Sequence, residues 1–144
     1  MKKTKIGKVD YSALKNPPEK HERTTANYFA KKGLDVTFVK PSSVKGTNNP
    51  DCIINGRIWE FKSPTTYSES SFEYNFKKAI SQSKNIIFDL RRLNKRDEHK
   101  YLRELIKRGD SRTIKSLIAI TKDGRMVHKL KQIVNTPVFA KIVI

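Results

Sequence analysis

The chain has 144 residues, and its 31 Lys and Arg residues against 14 Asp and Glu residues give a formal net charge of +17. This length suits one domain with a sizeable core, and 36% hydrophobic residues in compact runs exclude an intrinsically disordered chain. No run is long enough to span a membrane, and one cysteine, Cys52, excludes an internal disulfide. We therefore expect a cytoplasmic site of action and no membrane partner. The charge indicates a nucleic-acid partner, because phosphate contacts release counterions, although it also favours solubility.

A helix that begins at Asn16 is predicted to be the first ordered element. Residues 1–15 have the composition of a flexible basic arm, and residues 16–144 are expected to form a single domain. Asn can cap the helix, Pro suits its first position, and the Glu three residues later can reach back to the cap. Gly33 ends this helix. Its Glu22 lies in line with an apolar stripe, so the carboxylate either has a functional role or is held by the positive end of the helix dipole.

The dipeptide Asn55-Gly56 predicts a hairpin with a two-residue type I′ turn, because both central residues of that turn take positive φ. The flanking strands are predicted over residues 51–54 and 57–62. A half-buried strand over residues 34–39 and a polar loop over 41–50 precede them.

Helices and strands alternate through the rest of the chain. The pattern predicts a helix over 72–85, a strand over 86–90, a helix over 96–108, hairpin strands over 116–121 and 125–129, and a strand over 138–143. Asp123-Gly124 predicts the same two-residue turn for the second hairpin. This order indicates a mixed α/β or α+β domain with a central mixed sheet flanked by helices.

Charged residues converge where the first hairpin strands end. Pairing around the Asn-Gly turn places Asp51 opposite Glu60, and strand alternation places Lys62 on the same face. Opposed carboxylates destabilise a sheet unless a positive charge compensates them. Lys62 can supply that charge, but Mg²⁺ or Mn²⁺ held by Asp51 and Glu60 satisfies two carboxylates better. With Lys62 beside such an ion, the expected chemistry is phosphodiester hydrolysis.

The string Pro50-Asp51, followed by Glu60-Phe61-Lys62, resembles the motif of the PD-(D/E)xK nuclease superfamily. The likeness covers residues 17–93 and implies a restriction-endonuclease-like core. It also implies that Asp51 and Glu60 are metal ligands, that Lys62 is the catalytic lysine, and that Glu22 is the acidic residue of the first helix. All four are then catalytic residues.

Three segments, residues 22–39, 49–62 and 77–92, are similar to the C-terminal nuclease domains of CdiA contact-dependent growth inhibition toxins. That resemblance implies tRNA as substrate, delivery into a target cell as part of a larger toxin, and an acidic immunity protein as inhibitor. Similar domains are carried by phages and mobile elements, so a DNA endonuclease is the first alternative. A catalytically inactive, basic nucleic-acid-binding module is the second.

Basic and polar residues on the second helix and around the central strand are the candidates for nucleic-acid binding, although a solvated surface explains each of them equally well. They are Lys77, Lys78, Gln82, Lys84, Arg91 and Arg92. The charged outer face of the third helix continues this basic surface. Tyr67, in the loop after the hairpin, is predicted to face outward and to stack on an unpaired base.

Overall fold

The computed structural model describes residues 5–40, 51–109 and 113–130, which form seven strands and three helices. In chain order these are β1 Val9–Asp10, α1 Lys20–Lys31, β2 Val36–Phe38, β3 Cys52–Ile54, β4 Arg57–Lys62, α2 Glu69–Gln82, β5 Asn85–Asp89, α3 Lys95–Arg108, β6 Ser116–Ile120 and β7 Met126–Leu130. Residues 1–4 of the predicted arm, the loop over 41–50 and the strand over 138–143 lie outside the described residues. None of the described helices is long and apolar enough to cross a membrane.

The seven strands form one mixed sheet in the order of the chain. The pairs β1–β2, β4–β5 and β5–β6 are parallel, and the pairs β2–β3, β3–β4 and β6–β7 are antiparallel. The predicted α+β architecture with a central mixed sheet and flanking helices is therefore confirmed.

Helices cover both faces of this sheet. In β5, Ile87 belongs to the core that includes Ala26 and Phe29 of α1, whereas Ile86 and Phe88 belong to the core of α2 and α3. Successive strand residues point to opposite faces, so α1 lies on one face and the other two helices lie on the other. A strand covered on both sides has no polar face, which explains the unbroken apolar run in β5.

The first hairpin is confirmed in detail. Asn55 has φ 51° and Gly56 has φ 77°, as a type I′ turn requires, and Cys52 pairs with Trp59, Ile53 with Ile58 and Ile54 with Arg57.

The start of the domain differs from the prediction in two ways. Helix α1 is capped by Glu19 and begins at Lys20, not at Asn16, because Pro18 disfavours helical geometry at the residue before it. Order also begins within the predicted arm, since β1 pairs with β2 and the Gly7 N–H donates to the Ala30 carbonyl at 2.7 Å.

The second hairpin forms, but its turn is not the predicted one. Ile120 pairs with Met126, the Thr121 N–H donates to the Arg125 carbonyl at 2.8 Å, and Gly124 has φ 87°. The loop therefore has three residues with Gly in the left-handed position, and the second hairpin has no type I′ turn. The Thr121 side chain holds this loop through Asp123.

Candidate active site

Strand β4 carries two of the predicted catalytic side chains into the middle of the sheet. Glu60 pairs with Ile86 and Lys62 with Phe88 across the parallel β4–β5 ladder, so both project to the α2 side of the sheet. Glu60 is only 5% exposed. A carboxylate at this depth requires a partner or a proton.

Lys62 is that partner within the described chain. Its Nζ lies 3.2 Å from Oε2 of Glu60. The other carboxylate oxygen, Oε1, is buried and has no hydrogen-bond partner among the described residues. Burial raises the pKa of Glu60, and the Lys62 ammonium opposes that rise. One oxygen of Glu60 is thus left to bind something the described chain does not supply.

Asp51 lies just before β3 and is fixed by the backbone of the neighbouring strand. Its Oδ2 accepts the Phe61 N–H at 2.8 Å, and its own N–H donates to the Trp59 carbonyl at 3.1 Å. Since Trp59 already pairs with Cys52, the ladder is irregular here and Asp51 is not the direct cross-strand partner of Glu60. The predicted register is wrong at this one position.

The carboxyl groups of Asp51 and Glu60 nonetheless act on one another, because a side-chain hydrogen bond with Asp51 opposes the rise in the pKa of Glu60. Burial, and then the negative charge of Glu60, raise the pKa of Asp51 to about 8. Glu22 adds to the same rise. Three of the predicted catalytic residues therefore form one electrostatic unit.

Glu22 also has a structural role. Its Oε1 accepts the Glu19 N–H at 3.0 Å in a capping box at the start of α1. It is half-buried and lines the same cleft as Asp51. The capping role and the electrostatic coupling to Asp51 are compatible, because the first uses one oxygen of the carboxylate.

The donor set fits a hard divalent cation. No group of three or more His, Cys, Asp and Glu side chains within residues 5–40, 51–109 and 113–130 forms a complete metal site. Mg²⁺ does not need one, because it commonly keeps several waters and binds through one or two carboxylates. The unpartnered Oε1 of Glu60 and the raised pKa of Asp51 are what two carboxylates without such an ion would show.

Two clefts of opposite charge flank these carboxylates. One, of about 380 Å³, is lined by the acidic residues Glu19, Glu22 and Asp51. The other, of about 350 Å³, is the hydroxyl cleft, lined by Lys62, Arg92 and the hydroxyl side chains of Ser63, Thr65, Thr66 and Ser71. Lys62 thus lies where the acidic centre meets a basic, polar surface.

A buried ion pair that the sequence analysis missed supports this region. Asp89, at the end of β5, is 3% exposed, and its carboxylate accepts from Arg91 Nε at 2.9 Å, from Arg91 Nη2 at 2.7 Å and from Thr25 Oγ1 at 2.8 Å. Arg91 also stacks on Tyr28, 5.0 Å from the ring centroid. An acid inside an apolar strand, two residues before an arginine, is the signal that could have revealed the pair.

The predicted nucleic-acid contacts divide between exposed and half-buried side chains. Exposed side chains are those of Lys77, Lys78, Lys84 and Arg92, and Gln82 is half-buried. Arg91 is committed to Asp89, with 28% of its side chain exposed. Tyr67 is not outward-facing: its ring packs against Phe72 and Tyr101 in the aromatic core.

A family model, the contact-dependent growth inhibition CdiA C-terminal domain, matches residues 47–126, more than half of the chain. The chain belongs to this family. The matched range contains Asp51, Glu60 and Lys62, and Glu22 lies before it.

A solved structure agrees with the fold of this CdiA C-terminal domain. The chain is similar to one in a CdiA-CT/CdiI toxin and immunity complex from Burkholderia pseudomallei, with a TM-score of 0.60 and 23% identity. The likeness covers 86% of this chain and 99% of that one, and at this identity it supports the fold alone. No curated protein sequence matches the chain.

Proposed function

We propose that this CdiA C-terminal domain is a metal-dependent endonuclease of the PD-(D/E)xK type that hydrolyses phosphodiester bonds of RNA, with tRNA as the first candidate substrate. The observation that carries the proposal is the interacting pair of half-buried Asp51 and buried Glu60, with Lys62 beside Glu60 and one Glu60 oxygen that has no hydrogen-bond partner among the described residues. A purely structural sheet position has no need for two coupled carboxylates, because burying them costs stability.

Asp51 and Glu60 are the residues that would hold Mg²⁺ or Mn²⁺. The ion, when bound, polarises a phosphoryl oxygen and lowers the pKa of a bound water. Lys62, whose Nζ lies 3.2 Å from Glu60 and whose side chain is 19% exposed, can hydrogen-bond a phosphate oxygen as negative charge develops there. Glu22 would orient the attacking water with the oxygen that does not cap the helix.

The toxin role is supported by the family and by the likeness to a chain that forms a toxin and immunity complex. We infer delivery into a target cell as part of a larger protein, action in its cytoplasm, and neutralisation by an immunity protein. An acidic immunity protein would complement the charge of +17 and associate quickly with this chain. The preference for tRNA over DNA rests on the resemblance to CdiA tRNA nucleases.

Cleavage assays with total tRNA and with duplex DNA, each in Mg²⁺, Mn²⁺ or EDTA, test the proposal. We expect cleavage of tRNA in the presence of either ion, and none in EDTA or with Glu60→Gln. Glu104→Gln, which neutralises a partly exposed acid paired with Lys107 on α3, is the matched control and should cleave normally.

Three outcomes would contradict parts of the proposal. Cleavage that persists in EDTA and in Glu60→Gln would refute the mechanism. Faster cutting of DNA would reverse the substrate order, and binding without any cleavage would favour an inactive module.

A further inference from the structure

The hydroxyl cleft has the composition of a site for a sugar-phosphate unit. Its walls are His21 of α1, the end of β4, the loop from β4 to α2, the half-buried Ser71 and Asn75 of α2, and Arg92 after β5. Of the lining residues, all in the described part of the chain, two are permanently cationic and none is acidic. The acidic cleft, by contrast, is lined by three carboxylates and one lysine, Lys15.

The two cations, Lys62 and Arg92, line the same cleft. Lys62 pairs with Glu60 and also lines this cleft. Arg92 is held by a hydrogen bond from its Nη1 to the Ser63 carbonyl at 2.9 Å. Within residues 5–40, 51–109 and 113–130 this is the one hydrogen bond of the Arg92 guanidinium, and the residue is exposed. A guanidinium fork matches the geometry of phosphate oxygens, so a held Arg92 is suited to a phosphodiester.

The loop between β4 and α2 supplies neutral polar groups. Thr65 and Thr66 are exposed, and their side-chain hydroxyls make no hydrogen bond within residues 5–40, 51–109 and 113–130. Asn75, one turn after Ser71 on α2, completes the polar wall. A hydroxyl both donates and accepts, as does the 2′-hydroxyl of a ribose, which is the group that distinguishes RNA from DNA at a given site.

We propose that the hydroxyl cleft binds the ribonucleotide next to the scissile phosphate, with Arg92 on its phosphate and the Thr66 hydroxyl on its ribose. This rests on the proposed function, because it assumes that Lys62 faces the scissile phosphate. The cleft then gives the domain a preference for RNA that the carboxylates and Lys62 cannot give by themselves.

Binding measured without cleavage tests this assignment. The full chain carrying Glu60→Gln is titrated into fluorescent oligouridylate and into oligodeoxyuridylate of equal length, which differ only in the 2′-hydroxyl. Arg92→Gln and Thr66→Val are then added to that background. Lys31→Gln, at the exposed end of α1, and Thr37→Val, at an exposed position of β2, are the matched controls.

We expect Arg92→Gln to weaken binding of both oligonucleotides by about tenfold, as loss of a charged hydrogen bond does. Thr66→Val should weaken binding of the RNA about fivefold and leave the DNA unchanged. The assignment would be overturned if Arg92→Gln bound the oligonucleotides as tightly as Lys31→Gln. It would also be overturned if Thr66→Val weakened the binding of RNA and of DNA equally. If these differences appear but the unmodified chain cleaves nothing, the cleft stands and the proposed hydrolysis fails.

Discussion

Replacing Asp89 by Asn tests whether the buried pair beneath the site stabilises the domain. The substitution keeps the shape of the side chain and removes its charge, so Arg91 loses its anionic partner while its side chain stays only 28% exposed. Breaking a buried ion pair costs about 3–5 kcal/mol, and the partial exposure of Arg91 reduces this to about 2–4 kcal/mol. For a chain of this length the melting temperature should fall by about 6–12 °C.

The stability that Asp89→Asn loses should depend on pH in a defined direction. Burial raises the pKa of Asp89, but the hydrogen bonds from Arg91 and Thr25 outweigh burial and leave that pKa below its ordinary value. A depressed pKa contributes stability that is present above the unfolded pKa, about 4, and is lost as pH falls through the folded pKa. The gap between wild type and Asp89→Asn should therefore be largest at about pH 5–7 and shrink below about pH 4.

Urea unfolding from about pH 3 to about pH 7 measures this gap. Asp123→Asn is the matched control, because Asp123 and Arg125 form a pair with the same spacing, with side chains 56% and 80% exposed. It should change the free energy of unfolding less than Asp89→Asn at every pH. An equal loss in the two variants, or a gap for Asp89→Asn that does not vary with pH, would refute the reasoning.

Three further predictions concern the site and the start of the sheet. Mg²⁺ should raise the melting temperature of the wild type and not of Glu60→Gln, because an ion that binds only the folded protein stabilises it and the variant lacks a proposed ligand. Equal shifts of the two melting temperatures in thermal denaturation would contradict the proposed role of Glu60 as a ligand. Lys62→Met should lower the cleavage rate at least about 100-fold and change RNA binding much less, and parallel losses in both assays would make Lys62 a binding residue instead. Gly7→Ala should destabilise the domain, because a Cβ there would lie 2.0 Å from the Leu34 carbonyl oxygen. An unchanged midpoint of urea unfolding would contradict this, because it would show that the backbone before β1 shifts to admit the Cβ without loss of stability.

Local chemistry made the first hairpin predictable. Asn55-Gly56 specifies both the turn and the pairing of Cys52 with Trp59, because few other residues tolerate two successive positive φ values. The same reasoning failed at Asp51, which is not paired with Glu60. Its N–H donates to the Trp59 carbonyl, and its carboxylate accepts the Phe61 N–H. The spacing of residues around a turn predicts a regular ladder of pairs. An irregularity such as the one at Asp51 depends on contacts with neighbouring strands, which that spacing does not reveal.

Two adjacent arginines show why charge alone could not locate the interface. Arg91 and Arg92 follow the same strand and look equivalent in sequence, yet Arg91 is held by Asp89 and Tyr28 whereas Arg92 lies exposed at the hydroxyl cleft. The difference arises from what each side chain meets: Arg91 donates to the Thr24 carbonyl of α1, whereas Arg92 donates to the Ser63 carbonyl in the loop after β4. A basic surface counted from composition therefore includes cations such as Arg91 that stabilise the fold, and the exposed cations, Arg92 among them, are the ones available to a phosphate.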